Sequence, residues 1–146
     1  MDVKADMFQV ELHIEMLEEG NYHTILYGTL GGIRLRMVLD TGASHSCIDA
    51  EIARTFFPDL VVSDNEGVNA GIGGNDFSVQ IADFPDFTLG DYRQPMLTNL
   101  AVVDMSHINV AYRTLKKNPI QMILGNDFLI EHHAVIHYGE NRLYFQ

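Results

Sequence analysis

Val38-Leu39-Asp40-Thr41-Gly42-Ala43-Ser44 is the stretch from which the rest of the chain is best interpreted. Its first two residues are the end of a segment, Ile33 to Leu39, in which apolar residues occupy every second position. This is the period of a strand with one buried face. Gly42 permits a tight turn, and Thr41 supplies a hydroxyl that can hold the loop. The pattern predicts that a rigid strand presents the Asp40 carboxylate at a sharp loop with apolar walls.

A carboxylate in such a place has two interpretations. Burial of a charged carboxylate is costly unless the group is paired or shares a proton, so a functional role would explain its position. A lone Asp-Thr-Gly is also typical of an aspartate that caps its own turn. The loop alone leaves both interpretations open, and two further segments bear on the choice.

The first of these is a glycine-rich segment from Val68 to Asp76, which contains Gly71-Ile72-Gly73-Gly74 between two strand-like stretches. Glycine removes the steric limits on the backbone, so a hairpin tip of this composition can move. A phosphate-binding loop is the rival interpretation, but no helix follows Gly74 and no Lys-Ser or Lys-Thr pair is present.

The second segment runs from Ile120 to Leu129. It is typical of an apolar strand that ends at Gly125 and is followed by a short helix, which Asn126 or Asp127 would cap.

The three segments together resemble the retropepsin branch of the aspartic peptidases. The loop at Asp40 is similar to the catalytic loop of that family, Gly71 to Gly74 is similar to its flap, and Ile123-Leu124-Gly125 is similar to the element beneath the loop. They occur in the expected order. The resemblance implies an all-β, retropepsin-like closed barrel with short helices, formed by residues 1–146 as a single domain.

The same resemblance implies an aspartic endopeptidase that cleaves peptide or protein substrates without a metal or cofactor. Asp40, Thr41 and Gly42 would form the catalytic loop. The chain contains one Asp-Thr-Gly, so a homodimer would have to supply the second carboxylate. A binding or scaffolding module that keeps the fold without turnover is the alternative.

Further residues would contact the substrate if the resemblance holds. The residues implied are Ala43, Ser44, His45, Gly71, Ile72, Gly73 and Gly74. Ser44 and His45 stand where viral enzymes carry acids, so subsite preferences do not follow from the family.

Composition excludes several other classes of protein. The chain has 146 residues, of which 47% are hydrophobic, and nine basic against 20 acidic residues give a net charge of −11. This balance argues against nucleic acid as a partner. The absence of an apolar run of about 18 residues argues against a membrane span. Met1 to Met7 lacks the apolar core of a signal peptide, so we expect a cytoplasmic protein.

Cys47 and a group of histidines raise two alternative chemistries. A thiol nucleophile at Cys47 would need a base, and His45 is near in sequence. His133 and His137 are four residues apart, but the intervening residues are typical of a strand, in which this spacing does not bring ligands together. We therefore expect a buried, structural Cys47 and no metal site.

Other parts of the chain give structural predictions only. Residues Phe8 to Met16 alternate as one strand with Glu15 on the polar face, and His23 is expected to be solvated. Asp49 is a candidate N-cap, and a strand is expected from Phe84 to Gly90. The spacing of apolar residues predicts an amphipathic helix from Ser106 to Leu115. By the resemblance, the terminal strands, Phe8 to Met16 and Leu143 to Phe145, would interleave between two subunits.

Overall fold

The computed structural model describes residues 5–65 and 79–146. The predicted flap, Gly71 to Gly74, lies outside the described residues. The described strands are β1 (Phe8–Glu11), β2 (His13–Glu18), β3 (Asn21–Leu30), β4 (Ile33–Leu39), β5 (Cys47–Asp49), β6 (Ser63–Asn65), β7 (Val79–Leu89), β8 (Tyr92–Val103), β9 (Met122–Leu124), β10 (Val135–His137) and β11 (Arg142–Phe145). The described helices are α1 (Ala50–Phe56), α2 (Ser106–Thr114) and α3 (Asn126–Glu131). The predicted mostly-β architecture with short helices is confirmed.

The larger sheet has the order β2-β3-β4-β9-β5-β8-β7-β6. A further pairing of β3 with β7 joins six of these strands into a barrel-like ring. Gly28 allows this crossing, because a Cβ at that position would lie 2.6 Å from the carbonyl oxygen of Thr88. The ring surrounds the main core, in which Leu26, Leu35 and Met37 are fully buried.

β2, β3 and β4 form an antiparallel meander, with Gly31 and Gly32 in the turn between β3 and β4 at positive φ. β4 also pairs in parallel with β9, through Met37 with Met122 and Leu39 with Leu124. This pairing fixes the end of β4, where Asp40 begins the loop.

The prediction of one strand from Phe8 to Met16 is wrong. The chain changes sheet at Leu12, so β1 and β2 belong to different sheets and the alternation does not continue across the break. Ile14 and Met16 are consequently exposed, whereas Glu15 turns inward to Arg36, which is itself buried.

Three other local predictions also need correction. Asp49 makes no side-chain cap to α1, because its Oδ1 accepts a hydrogen bond from the backbone of Met105 at 3.1 Å. His23 is half-buried, and its Nδ1 lies 2.6 Å from the Tyr112 hydroxyl. The strand expected from Phe84 begins earlier, since β7 starts at Val79 and continues through a register shift.

The smaller sheet has the order β1-β11-β10. β11 therefore pairs on both sides with strands of its own chain, Phe8 aligning with Phe145 and Val135 with Tyr144. We expected β11 to exchange partners with a second subunit. In this arrangement its edges are occupied, and the sheet ends at β1 and β10.

In the part of the chain that the structure describes, no helix combines the length and the hydropathy needed to cross a bilayer.

Candidate active site

Asp40 lies directly after β4, and its backbone nitrogen donates to Leu124 of β9 at 3.0 Å. The loop then folds back on the aspartate: the Gly42 nitrogen donates to Asp40 Oδ1 at 2.8 Å, and the Ala43 nitrogen donates to the Asp40 carbonyl at 3.2 Å. Asp40 as a whole residue is half-buried. Asp40 thus does cap its own turn, and this contact also fixes the orientation of a carboxyl group on a rigid strand end.

Asn126 holds the same loop from below. Its side-chain nitrogen donates to the Thr41 carbonyl at 2.7 Å, and its backbone nitrogen donates to the Ala43 carbonyl at 2.8 Å. One residue at the start of α3 therefore fixes two carbonyl groups of the Asp40 loop. The sequence indicated Asn126 only as a possible helix cap, since Thr41 is 85 residues away along the chain.

Ser46 and Asp127 form a second brace. Ser46 donates to Asp127 through its backbone nitrogen at 2.9 Å and through its hydroxyl at 2.7 Å. The hydroxyl also accepts a hydrogen bond from the Gly125 nitrogen at 2.8 Å. Neither residue was predicted to support the site. The Asn126-Asp127 pair after a glycine was the signal that could have indicated it.

Gly125 is required by close packing. A Cβ there would lie 2.8 Å from the Ala43 carbonyl oxygen and 3.1 Å from that of His45. A Cβ atom essentially never lies as close as 2.8 Å to a backbone oxygen in real structures. The predicted position of the Ile123-Leu124-Gly125 element under the loop is therefore observed.

A cavity of about 300 Å³ opens beside the loop. Four predicted site residues line it, namely Asp40, Gly42, Ala43 and His45, whereas Thr41 and Ser44 are exposed outside it. Ile123, from the element expected beneath the loop, also lines it. The sequence did not indicate the remaining lining residues, which are Cys47, Val103, Met105, His107 and Ile108. The structure thus combines a carboxylate with a mostly apolar recess.

Cys47 is unsuited to act as a nucleophile. The thiol is free and buried, and burial raises its pKa to about 12, with nearby carboxylates including Asp127 and Asp40 adding to the shift. A thiol is reactive as the thiolate, which is scarce at neutral pH when the pKa is this high.

The C-terminal histidines make local contacts. His132 lies 2.7 Å from the Gln146 carbonyl through Nδ1, and its ring stacks on Phe128. His137 Nδ1 accepts a hydrogen bond from the Glu140 nitrogen at 3.0 Å. Among the described residues, no group of three or more His, Cys, Asp or Glu side chains is arranged to hold a metal ion.

Comparison with known proteins gives the family. The sequence profile described as "Aspartyl protease" matches residues 26–128, which include the Asp40 loop and Gly125. The chain therefore belongs to the aspartyl protease family. No curated protein matches it in sequence.

Two solved structures show the same fold. The retroviral protease-like domain of Ddi1 from Leishmania major is 17% identical, with a TM-score of 0.54, and the match covers 84% of this chain and 86% of that one. A retropepsin-like aspartic protease from Rickettsia conorii is 12% identical, with a TM-score of 0.52, and the match covers 95% of this chain and 89% of that one. The chain thus has the retropepsin-like fold.

Proposed function

We propose that the protein is an aspartic endopeptidase whose active site contains one Asp40 from each of two identical subunits. The observation that carries the proposal is the Asp40 carboxylate, oriented by the Gly42 nitrogen on the wall of a cavity. The bonds from Asn126 hold the same loop in place. A carboxylate fixed in this way can act on a bound peptide without further rearrangement of the loop.

Peptide hydrolysis by carboxylates needs two groups that share one proton. The ionised Asp40 would take a proton from water, and the oxygen of that water would attack the scissile carbonyl carbon while the protonated Asp40 polarises its oxygen. Proton transfer to the leaving nitrogen would then accompany cleavage of the carbon–nitrogen bond and release an amine and a carboxylic acid. No cofactor takes part in these steps.

The two carboxyl groups would titrate as a coupled pair. Like charges a few ångströms apart do not both ionise readily, so the pair has two separated apparent pKa values. Activity would require one proton on the pair and would follow a bell-shaped pH profile.

Among the described residues no strand pairs with the outer edge of β10, and this edge is our candidate for the seam between the two subunits. β11 is already paired on both sides, whereas β10 is an outer strand of the smaller sheet. Val135 on β10 is 44% exposed, and Tyr138 directly after it is 62% exposed. Apolar surface at a strand edge is suited to pairing with a second copy.

The position of β10 also favours this seam. Ala134 donates to Leu129 of α3, and α3 begins at Asn126, which holds the Asp40 loop. β10 is therefore connected through α3 to the residue that holds the Asp40 loop. The net charge of −11 opposes association at neutral pH, so the apolar contacts of the seam would have to outweigh that repulsion.

Cleavage of a peptide library, combined with light scattering, tests the proposal. Wild-type protein should scatter as a dimer and cleave peptides, and Asp40→Asn should lower cleavage by at least about 100-fold while the dimer persists. Asp91→Asn, an exposed aspartate in the turn between β7 and β8, is the matched control. Undiminished cleavage by Asp40→Asn would exclude the mechanism. A monomer without cleavage at micromolar concentration would instead support the binding module.

A further inference from the structure

The segment between β8 and β9 has no role in the chemistry proposed above, yet it forms one side of the Asp40 cavity. Met105 precedes α2, and His107 and Ile108 lie in the first turn of that helix. All three line the cavity together with Asp40. A substrate side chain in this recess would therefore contact α2 while its backbone passed the carboxylate.

The interior of this recess is apolar. Met105 and Cys47 are buried, Ile108 and Ile123 are partly buried, and the exposed His107 is at the rim. A volume of about 300 Å³ is at the lower limit of small-molecule sites and suits one large side chain. A charged side chain would lose its hydration against Met105 and Ile123, which is costly.

The N-terminal part of α2 is fixed relative to Asp40. Asn109 Nδ2 donates to the Ile120 carbonyl at 2.9 Å, and the Ile120 nitrogen donates to Asn109 Oδ1 at 2.8 Å. Asn109 is buried, and Ile120 lies two residues before Met122, where the pairing of β9 with the Asp40 strand begins. This reciprocal pair therefore connects the helix to the strand that carries the catalytic carboxylate.

Two further contacts hold the helix. The buried Met105 nitrogen donates to Asp49 Oδ1 at 3.1 Å, and the Tyr112 hydroxyl lies 2.6 Å from His23 Nδ1 on β3. Since α2 is tied at its start, middle and end, its first turn is a rigid wall. A rigid wall discriminates between side chains of different size, because the pocket cannot expand to fit a larger one.

We propose that Ile108, with Met105, determines the size of the side chain that is accepted next to the scissile bond. As a statement about cleavage specificity, this inference rests on the proposed peptidase function. The recess itself is a property of the folded chain, so its preference is also measurable as binding.

Two opposite substitutions of Ile108 test the size of the pocket. The probe is a set of peptides that differ at one position flanking the cleavage site, with alanine, leucine, phenylalanine, tryptophan or glutamate there. Ile108→Ala should enlarge the recess and raise kcat/KM for tryptophan relative to leucine by roughly tenfold. Ile108→Phe should fill it and shift preference toward alanine by a similar factor. Val110→Ala, on the same helix at a 57% exposed residue, should leave the preference unchanged.

Binding of the same peptides to the Asp40→Asn protein, with and without each Ile108 substitution, separates the two hypotheses. Suppose that the wild-type protein cleaves no peptide, and that the two Ile108 substitutions still shift the binding preference in opposite directions. The recess is then assigned correctly, and the peptidase proposal fails. If wild type cleaves with no preference for large apolar side chains, or if both Ile108 variants keep the wild-type order in cleavage and binding, the assignment of Ile108 is overturned. Thermal melting of each variant verifies that it is folded.

Discussion

The Ser46 hydroxyl donates a hydrogen bond of 2.7 Å to Asp127 Oδ1, although the two residues are 81 positions apart in the sequence. The same oxygen accepts a hydrogen bond from the buried Gly125 nitrogen. Ser46→Ala should therefore leave a buried donor without its partner and lower the free energy of unfolding by about 1–3 kcal/mol. Urea unfolding measures this, with Ser44→Ala, an exposed neighbour, as the control. Equal stability of the two variants would contradict the role of Ser46.

Gly125→Ala should distort the Asp40 loop. The added methyl group would lie 2.8 Å from the Ala43 carbonyl oxygen, so either the loop or α3 must shift. We expect a loss of about 1–3 kcal/mol in the free energy of unfolding, together with a fall in peptidase activity. Gly139→Ala is the control, because a Cβ there meets only the His137 side chain. Full activity in Gly125→Ala would show that the loop tolerates the displacement.

The ion pair of Glu15 with Arg36 should make stability depend on pH. Arg36 Nη2 donates to Glu15 Oε1 at 2.8 Å, and Nη1 lies 2.6 Å from Oε2. This hydrogen bonding holds the pKa of Glu15 below its ordinary value of 4.5. Because the folded-state pKa is the lower one, the stabilisation is fully present above the ordinary value and is lost as the pH falls through the folded-state value.

Glu15→Gln should lower the free energy of unfolding by about 2 kcal/mol at neutral pH, since Arg36 loses a charged acceptor. The difference from wild type should shrink in acid, where the wild-type carboxylate is protonated. Urea unfolding over a pH series measures both effects, with Glu18→Gln on the same strand as an exposed control. A difference that stays constant down to strongly acid pH would mean that Glu15 does not contribute through its charge.

Cys47 should be inert in the folded protein. Its thiol is 5% exposed and its pKa is raised to about 12, so iodoacetamide at neutral pH should not label it until urea unfolds the chain. Cys47→Ala changes one side chain of the cavity wall but should still cleave peptides, because the thiol takes no part in the proposed chemistry. Mass spectrometry of the labelled protein and a cleavage assay measure the two outcomes. Rapid labelling of folded protein with matching loss of cleavage would revive the thiol mechanism.

Val135→Asp should dissociate the proposed dimer. A two-fold seam at β10 would bring two introduced carboxylates close together in a low-dielectric contact, and their repulsion opposes pairing. Light scattering should show a monomer, and cleavage should fall with the dimer population. Val61→Asp, at an 85% exposed position, is the control. A Val135→Asp protein that remains an active dimer would place the seam elsewhere.

The sequence by itself determined the strand that ends at Asp40, the turn at Gly42 and the packing element at Gly125, because strand period and glycine geometry are local properties. It also indicated the family, since these short motifs occur in a fixed order. It failed at Glu15, where the alternation predicted an exposed side chain. The chain changes sheet at Leu12, and that change depends on β11, more than a hundred residues away in sequence.

Only the tertiary structure decided which groups support and surround the carboxylate. The contact of Ser46 with Asp127 and that of Asn126 with Thr41 join residues more than 80 positions apart, and no local pattern specifies such pairs. Likewise, the sequence predicted Ile108 only as a residue on the apolar face of an amphipathic helix, and not as part of the cavity wall. Its place beside Asp40 follows from where the sheet and the Asn109 contacts hold that helix.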